Sequence, residues 1–132
     1  MKKMIVVLFF LSSLCVGNAQ AANNSPCEKA LLSLMWEDIN NAIAKQYDFG
    51  VSIWNEKIVQ LQMQNGLTFQ ITIQGDVYVG AHNTFGTDTI TFEREIDGLK
   101  LVSYKHTPSK DKQEILDWYF KHSAQPKPKQ AK

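Results

Sequence analysis

Four polar side chains in this sequence are of types that could do chemistry together: His82, Asn83, Asp88 and His106. Two imidazoles and a carboxylate can hold a divalent metal such as zinc with one position left open. The same carboxylate could instead hold one histidine in a single tautomer and form an acid–base pair. Neither chemistry has a spacing signature behind it. The chain contains no HxH, HxxxH or Cys/His pattern, no Gly-x-Ser-x-Gly elbow and no glycine loop that could cradle phosphate. A simpler role competes with both. Asn and Asp beside turns commonly bond the local backbone, and an Asp facing a His across two strands can merely hold a register. The cluster therefore reads first as a structural element, second as a recognition site and last as a metal or catalytic centre. The expectation is no cofactor and no metal.

The elements that must position these residues follow from hydrophobic period. Val77 to Phe92 (VYVGAHNTFGTDTITF) reads as two alternating strands joined by a loop from Gly80 to Asp88. Upstream, Val59, Leu61 and Met63 alternate with glutamines. After Asn65-Gly66, Leu67, Phe69, Ile71, Ile73, Val77 and Val79 continue the same odd phase. A three-residue turn with Gly66 left-handed keeps odd opposite odd. It predicts Met63 opposite Leu67, Ile53 opposite Val77 and Val51 opposite Val79. Trp54 and Ile58 break the phase, so a kink is expected around Asn55–Lys57. Gly75 falls in the apolar phase and should leave room for a large side chain, with Trp36 the candidate.

A second hairpin runs from Thr87 to Ile96, through Asp97-Gly98, and from Leu99 to His106. The same turn logic predicts Phe92 opposite Val102, Ile90 opposite Tyr104 and Asp88 opposite His106. In an antiparallel meander alternate strand ends meet, so Val79, Asp88, His106 and the helix end at Tyr47 should share one edge. On that basis His82, Asn83, Asp88 and His106 are expected to converge.

Two helical segments flank the strands. Ser25-Pro26-Cys27-Glu28 is a capping box with proline in the first turn. Leu31, Leu32, Met35, Trp36, Ile39, Ala42, Ile43 and Tyr47 then form one apolar stripe at spacings of three and four. That predicts a single long helix to about Tyr47. Asp111, with Glu114 three residues on, caps a short helix to about His122. The fold class is α+β: one long N-terminal helix on a four-stranded antiparallel meander, with a short C-terminal helix, in the manner of cystatin-like folds.

The ends of the chain carry information of another kind. Met-Lys-Lys, an apolar run from Met4 to Val16 and Ala19-Gln20-Ala21 have the form of a secretory signal peptide over residues 1–21. The run is shorter than the roughly 20 residues a membrane span needs. Residues 26–122 make one α+β domain, and 123–132 (AQPKPKQAK and the preceding Ser) make a basic Pro/Lys tail with too few apolar groups to pack. Without the signal peptide, Cys27 is the only thiol, expected free and half-buried. The folded part is mildly acidic, which argues against a nucleic-acid surface. The outer sheet face is rich in Gln and Thr; it reads first as a solvated face under a covering C-terminal helix, and second as a surface where Trp54 and Tyr78 could stack against a sugar.

Taken together, the order of segments and above all GAHNTFGTDTITF resemble the domain-of-unknown-function 3888 family, small secreted proteins of Gram-positive spore-formers. The resemblance covers about Leu31 to His106. It implies an exported protein of unknown role, with His82, Asn83, Gly86 and Asp88 in a family motif. The family has no established activity, so it assigns no catalytic or binding residue. The expected function is a secreted, monomeric, non-enzymatic binding or regulatory module of the cell envelope, with an unknown protein or cell-wall ligand as partner. The alternatives are a small metal-dependent or acid–base enzyme built on His82, Asp88 and His106, and a protease-inhibitor-like module.

Overall fold

The computed structural model describes residues 25–124. The signal-peptide reading of 1–21 and most of the basic tail lie outside the described residues. Two short helices, α1 (Pro26–Leu34) and α2 (Trp36–Gln46), precede four strands, β1 (Ser52–Met63), β2 (Phe69–Val79), β3 (Asn83–Glu95) and β4 (Gly98–Pro108). A third helix, α3 (Lys112–His122), follows. The strands form one antiparallel sheet in the order β1-β2-β3-β4.

The single long helix is the first correction. The chain leaves helical geometry at Met35 (φ −92°, ψ 2°). The hydrogen-bond ladder nonetheless continues across the break, from Met35 N to Leu31 O at 3.1 Å and from Ile39 N to Met35 O at 3.0 Å. The break is therefore a one-residue corner. It lets α1 lie on β1 while α2 swings towards β4. Met35 is buried at the corner, between Leu32 and Ile39. One residue in the bridge region barely disturbs a 3.6-residue stripe, so the pattern alone carries no sign of it. Ser25 caps α1 as expected, its hydroxyl accepting from Glu28 N at 3.2 Å. Glu28 does not complete the box: its Oε1 accepts from Ile58 N at 2.7 Å and ties the helix to the kinked part of β1.

The strand registers are right at one end of the sheet and shifted at the other. Ile53 faces Val77 as predicted, but Met63 faces Phe69, not Leu67. The first turn is wider than three residues because the Thr68 side chain and backbone close on Asn65 and Gln64. Gly66 takes a φ of +63° there, and Leu67 is left 91% exposed. Irregularities between Trp54 and Lys57 and between Ile58 and Gln60 then restore the register. The first of these is the expected kink, and Asn55 adopts φ 53° in it. Val51 lies just outside β1.

The second hairpin behaves alike. Its tip pairs Glu95 with Gly98, so Phe92 faces Leu101 rather than Val102, and a bulge between Thr91 and Phe92 absorbs the shift. Beyond it Ile90 faces Tyr104 and Asp88 faces His106, as the alternation requires. Ile96 sits on the exposed turn.

One face of the sheet carries the core. Ile53, Ile71, Ile73, Val77, Val79 and Ile90 are buried against Leu32, Met35, Ile39, Ala42 and Ile43. Ile115, Leu116 and Tyr119 of α3 join the same cluster, so α3 packs on this inner side near the start of β3. Gly75 does make room, but for Ile53: a Cβ there would lie 2.7 Å from Ile53 Cδ1. Trp36 is 47% exposed. Cys27 is free, and exposed rather than half-buried.

Candidate functional site

The expected loop from Gly80 to Asp88 is mostly strand. β3 begins at Asn83, and the turn proper is Gly80 to His82, where His82 itself takes φ 65°. A bulge between Val77 and Tyr78 lets Phe85 drop out of register and into the core, fully buried. Phe85 is thus a core residue. This remodelled turn sends the four candidate residues to different places.

Asp88 and His106 meet on the inner face. Asp88 is fully buried, and His106 Nδ1 lies 2.6 Å from its Oδ1. The Tyr47 hydroxyl donates to the same carboxylate, 2.8 Å from Oδ2 and 3.1 Å from Oδ1. The Tyr104 hydroxyl donates to Oδ2. Tyr47 also lies 3.0 Å from His106 Nδ1. Each donor has a clear origin in the fold. Tyr47 is the residue where α2 ends and turns extended. Tyr104 and His106 are alternate residues of β4 facing Ile90 and Asp88.

An ionised carboxylate only accepts, so three converging donors suit it. Donation to Asp88 assigns the Nδ1 proton of His106 from this hydrogen-bond pattern. Nε2 is buried without a partner. Gly86 lies against that side of the ring: a Cβ on it would come within 2.3 Å of His106 Cε1 and 2.6 Å of Thr107 O. Burial, and then the neighbouring Asp88, push both phenols well above the ordinary tyrosine range. They remain protonated donors at any ordinary pH. Aromatic edges close the surroundings, with Tyr47 5.7 Å from Phe85 and 5.6 Å from Phe49.

His82 stands apart, on the outer face. Its ring stacks on Tyr78 at 4.6 Å and 16°, and meets Trp54 at 5.5 Å and 60°. Trp54 Nε1 donates to Thr84 Oγ1 at 3.3 Å. Beside them Asp76 accepts from Thr87 Oγ1 at 3.0 Å and from Asn55 Nδ2 at 3.2 Å. Asn83 opens β3 opposite Val79, half-buried. The structure thus joins Asp88 with His106 and separates them from His82. Among the described residues, no three His, Cys, Asp or Glu side chains gather as a metal would require. Tyr104 and Phe85 were missed from sequence. Tyr104 shares the strand phase of His106, which is the signal that places its hydroxyl at Asp88. Phe85 gives none, because a bulge hides its face.

No helix of the described residues is long and apolar enough to cross a membrane. Searches of curated proteins and of solved structures returned no match. The family model described as "Protein of unknown function (DUF3888)" matches residues 27–108, from the start of α1 to the end of β4. That stretch holds both side-chain clusters, and the chain belongs to the DUF3888 family.

Proposed function

We propose that the protein is an exported binding module of the cell envelope or its surroundings, acting without catalysis. The observation that supports this reading most is the division of polar chemistry between the two sheet faces. The Asp88 network has its acid fully buried and its donors consumed within the cluster. A general base or metal site must reach substrate, whereas the acid of this one is fully buried. An accessible group of polar and aromatic side chains lies on the other face, around Trp54, Tyr78 and His82. A binding module needs such an open surface and no proton-transfer centre.

Export is part of the same proposal and rests on the charged start, the apolar run Met4–Val16 and Ala19-Gln20-Ala21. Two measurements test the proposal. Intact mass of the chain recovered outside producing cells should match a start at Ala22. Recovery of the uncut chain inside the cells only would overturn export. The mature domain, immobilised, should retain material from cell-envelope extracts, and Trp54→Ala should release it. Turnover of any ester, peptide or glycosidic substrate that is lost in His106→Ala would overturn the non-catalytic reading and favour the enzyme alternative.

A further inference from the structure

We propose that the outer face of the sheet binds a neutral linear polysaccharide, gripped at the Trp54–Tyr78–His82 cluster. The proposal rests on the binding-module reading above and names its ligand class. Three aromatic rings stand together on a face that also carries amides, hydroxyls and a few charged groups of both signs. Trp54 is 40% exposed, with Tyr78 at 6.4 Å and His82 at 5.5 Å. Aromatic faces are electron-rich and attract the slightly positive C–H groups of an apolar surface. A pyranose ring presents such a surface on one side and hydroxyls around its rim.

The groups around the rings suit those hydroxyls. A sugar hydroxyl both donates and accepts, and so demands both capacities from its site. Asn55, Thr84 and Thr87 supply amide and hydroxyl groups, each already oriented by one hydrogen bond to Asp76 or Trp54. Among the described residues, the two non-glycine residues with left-handed backbone are Asn55, beside the cluster, and His82, within it; such geometry is concentrated at functional sites.

The face continues the same chemistry along the strands. Gln60, Thr72, Thr91 and Ser103 follow one another across all four strands in register. Thr72 and Thr91 are bonded at 3.1 Å, and Gln74 donates to Thr89 at 3.4 Å. The charge here matches a neutral partner. Lys57, Lys100 and Lys105, facing Gln74, Glu93 and Thr89, balance Asp76, Glu93 and Glu95 across the face. Both Asp76 oxygens already hold a donor, so Asp76 is not a bare counter-ion waiting for a cation. The inner-face helices leave this surface uncovered among the described residues.

The test is tryptophan emission of the mature protein titrated with cellotetraose and with the β-1,4-linked tetramer of N-acetylglucosamine. A trilysine peptide serves as the cationic probe. The proposal predicts a saturable change with at least one tetrasaccharide. Trp54→Ala should weaken binding tenfold or more with an unchanged melting temperature. Trp118→Ala, at an exposed ring on α3, should bind as the native protein does. Two results would overturn the assignment: no response to either sugar, or equal binding by Trp54→Ala. Saturation by trilysine alone would also overturn it, by giving the rings to a cation. If both sugars fail while the immobilised domain still retains envelope material, the polysaccharide falls and the binding module stands.

Discussion

Asp88 and Asp76 sit one register step apart in the same sheet and do opposite things. Asp76 faces Thr87 on β3, and the next residue, Asp88, faces Gly75 on β2. One step along a strand changes the face. Asp88 lands inside, fully buried, with two phenols and an imidazole turned on it. Asp76 lands outside, half-buried, bonded to a short amide and a short hydroxyl beside open rings. The same side chain is therefore a keystone on one face and a rim group on the other. The lesson is that a carboxylate beside a histidine is not by itself a sign of catalysis. What counts is whether solvent or substrate can reach it.

Removing the buried keystone should produce the largest effect. Asp88→Ala leaves three part-buried donors without an acceptor and should cost about 3–5 kcal/mol. Domains of this size hold only about 5–15 kcal/mol in total, so urea melts should show a largely unfolded chain at modest denaturant. Asp76→Ala, the matching change outside, should shift the midpoint by less than about 1 kcal/mol. Equal losses would break the comparison.

Gly86→Ala comes next. Its Cβ would strike the His106 ring and the Thr107 carbonyl, an overpacking that costs about 1–3 kcal/mol. Adding His106→Ala should recover part of the loss, and thermal scans of the single and double variants would read the coupling.

The phenols give a signature of pH. Unfolded tyrosines ionise near pH 10, whereas Tyr47 and Tyr104 are held protonated well above that in the folded chain. Above pH 10 the unfolded state therefore binds fewer protons than the native state, and stability must fall as pH rises. Below pH 10 the two states are equally protonated at these groups and the contribution is complete. Tyr47→Phe with Tyr104→Phe should flatten the alkaline decline seen in melting temperature against pH. An undiminished decline in the double variant would show that these phenols are not its source.

Much of the fold was legible in the sequence, and the failures share a cause. Alternation fixed which residues of β2 and β3 face inward, because a one-residue slip would expose the whole apolar set. It therefore placed Asp88 opposite His106 and Ile53 opposite Val77 correctly. It failed at the hairpin tips, where Leu67 and Ile96 are exposed and nothing apolar enforces phase. There the turn's own hydrogen bonds decide, and bulges near Asn55, Val59 and Val102 repair the difference. The corner at Met35 and the burial of Phe85 escaped for the same reason. Each is a single residue whose backbone leaves the regular period, and period is what the sequence displays. The candidate cluster was half legible. Strand pairing brought Asp88 to His106, but a left-handed His82 carried the other imidazole to the far face.

The smallest effect on stability should accompany the largest effect on function. Trp54→Ala removes an exposed ring and should move stability by no more than about 0.5 kcal/mol. The most direct test of the account sets this variant beside Tyr47→Phe in one binding measurement on envelope extract, with both proteins held well below their melting temperatures. The account predicts that Trp54→Ala fails to retain material although its melting curve is native. It predicts that Tyr47→Phe melts earlier yet retains material as well as the native protein. Loss of binding in folded Tyr47→Phe, with full binding in Trp54→Ala, would place the function in the buried network and contradict the account.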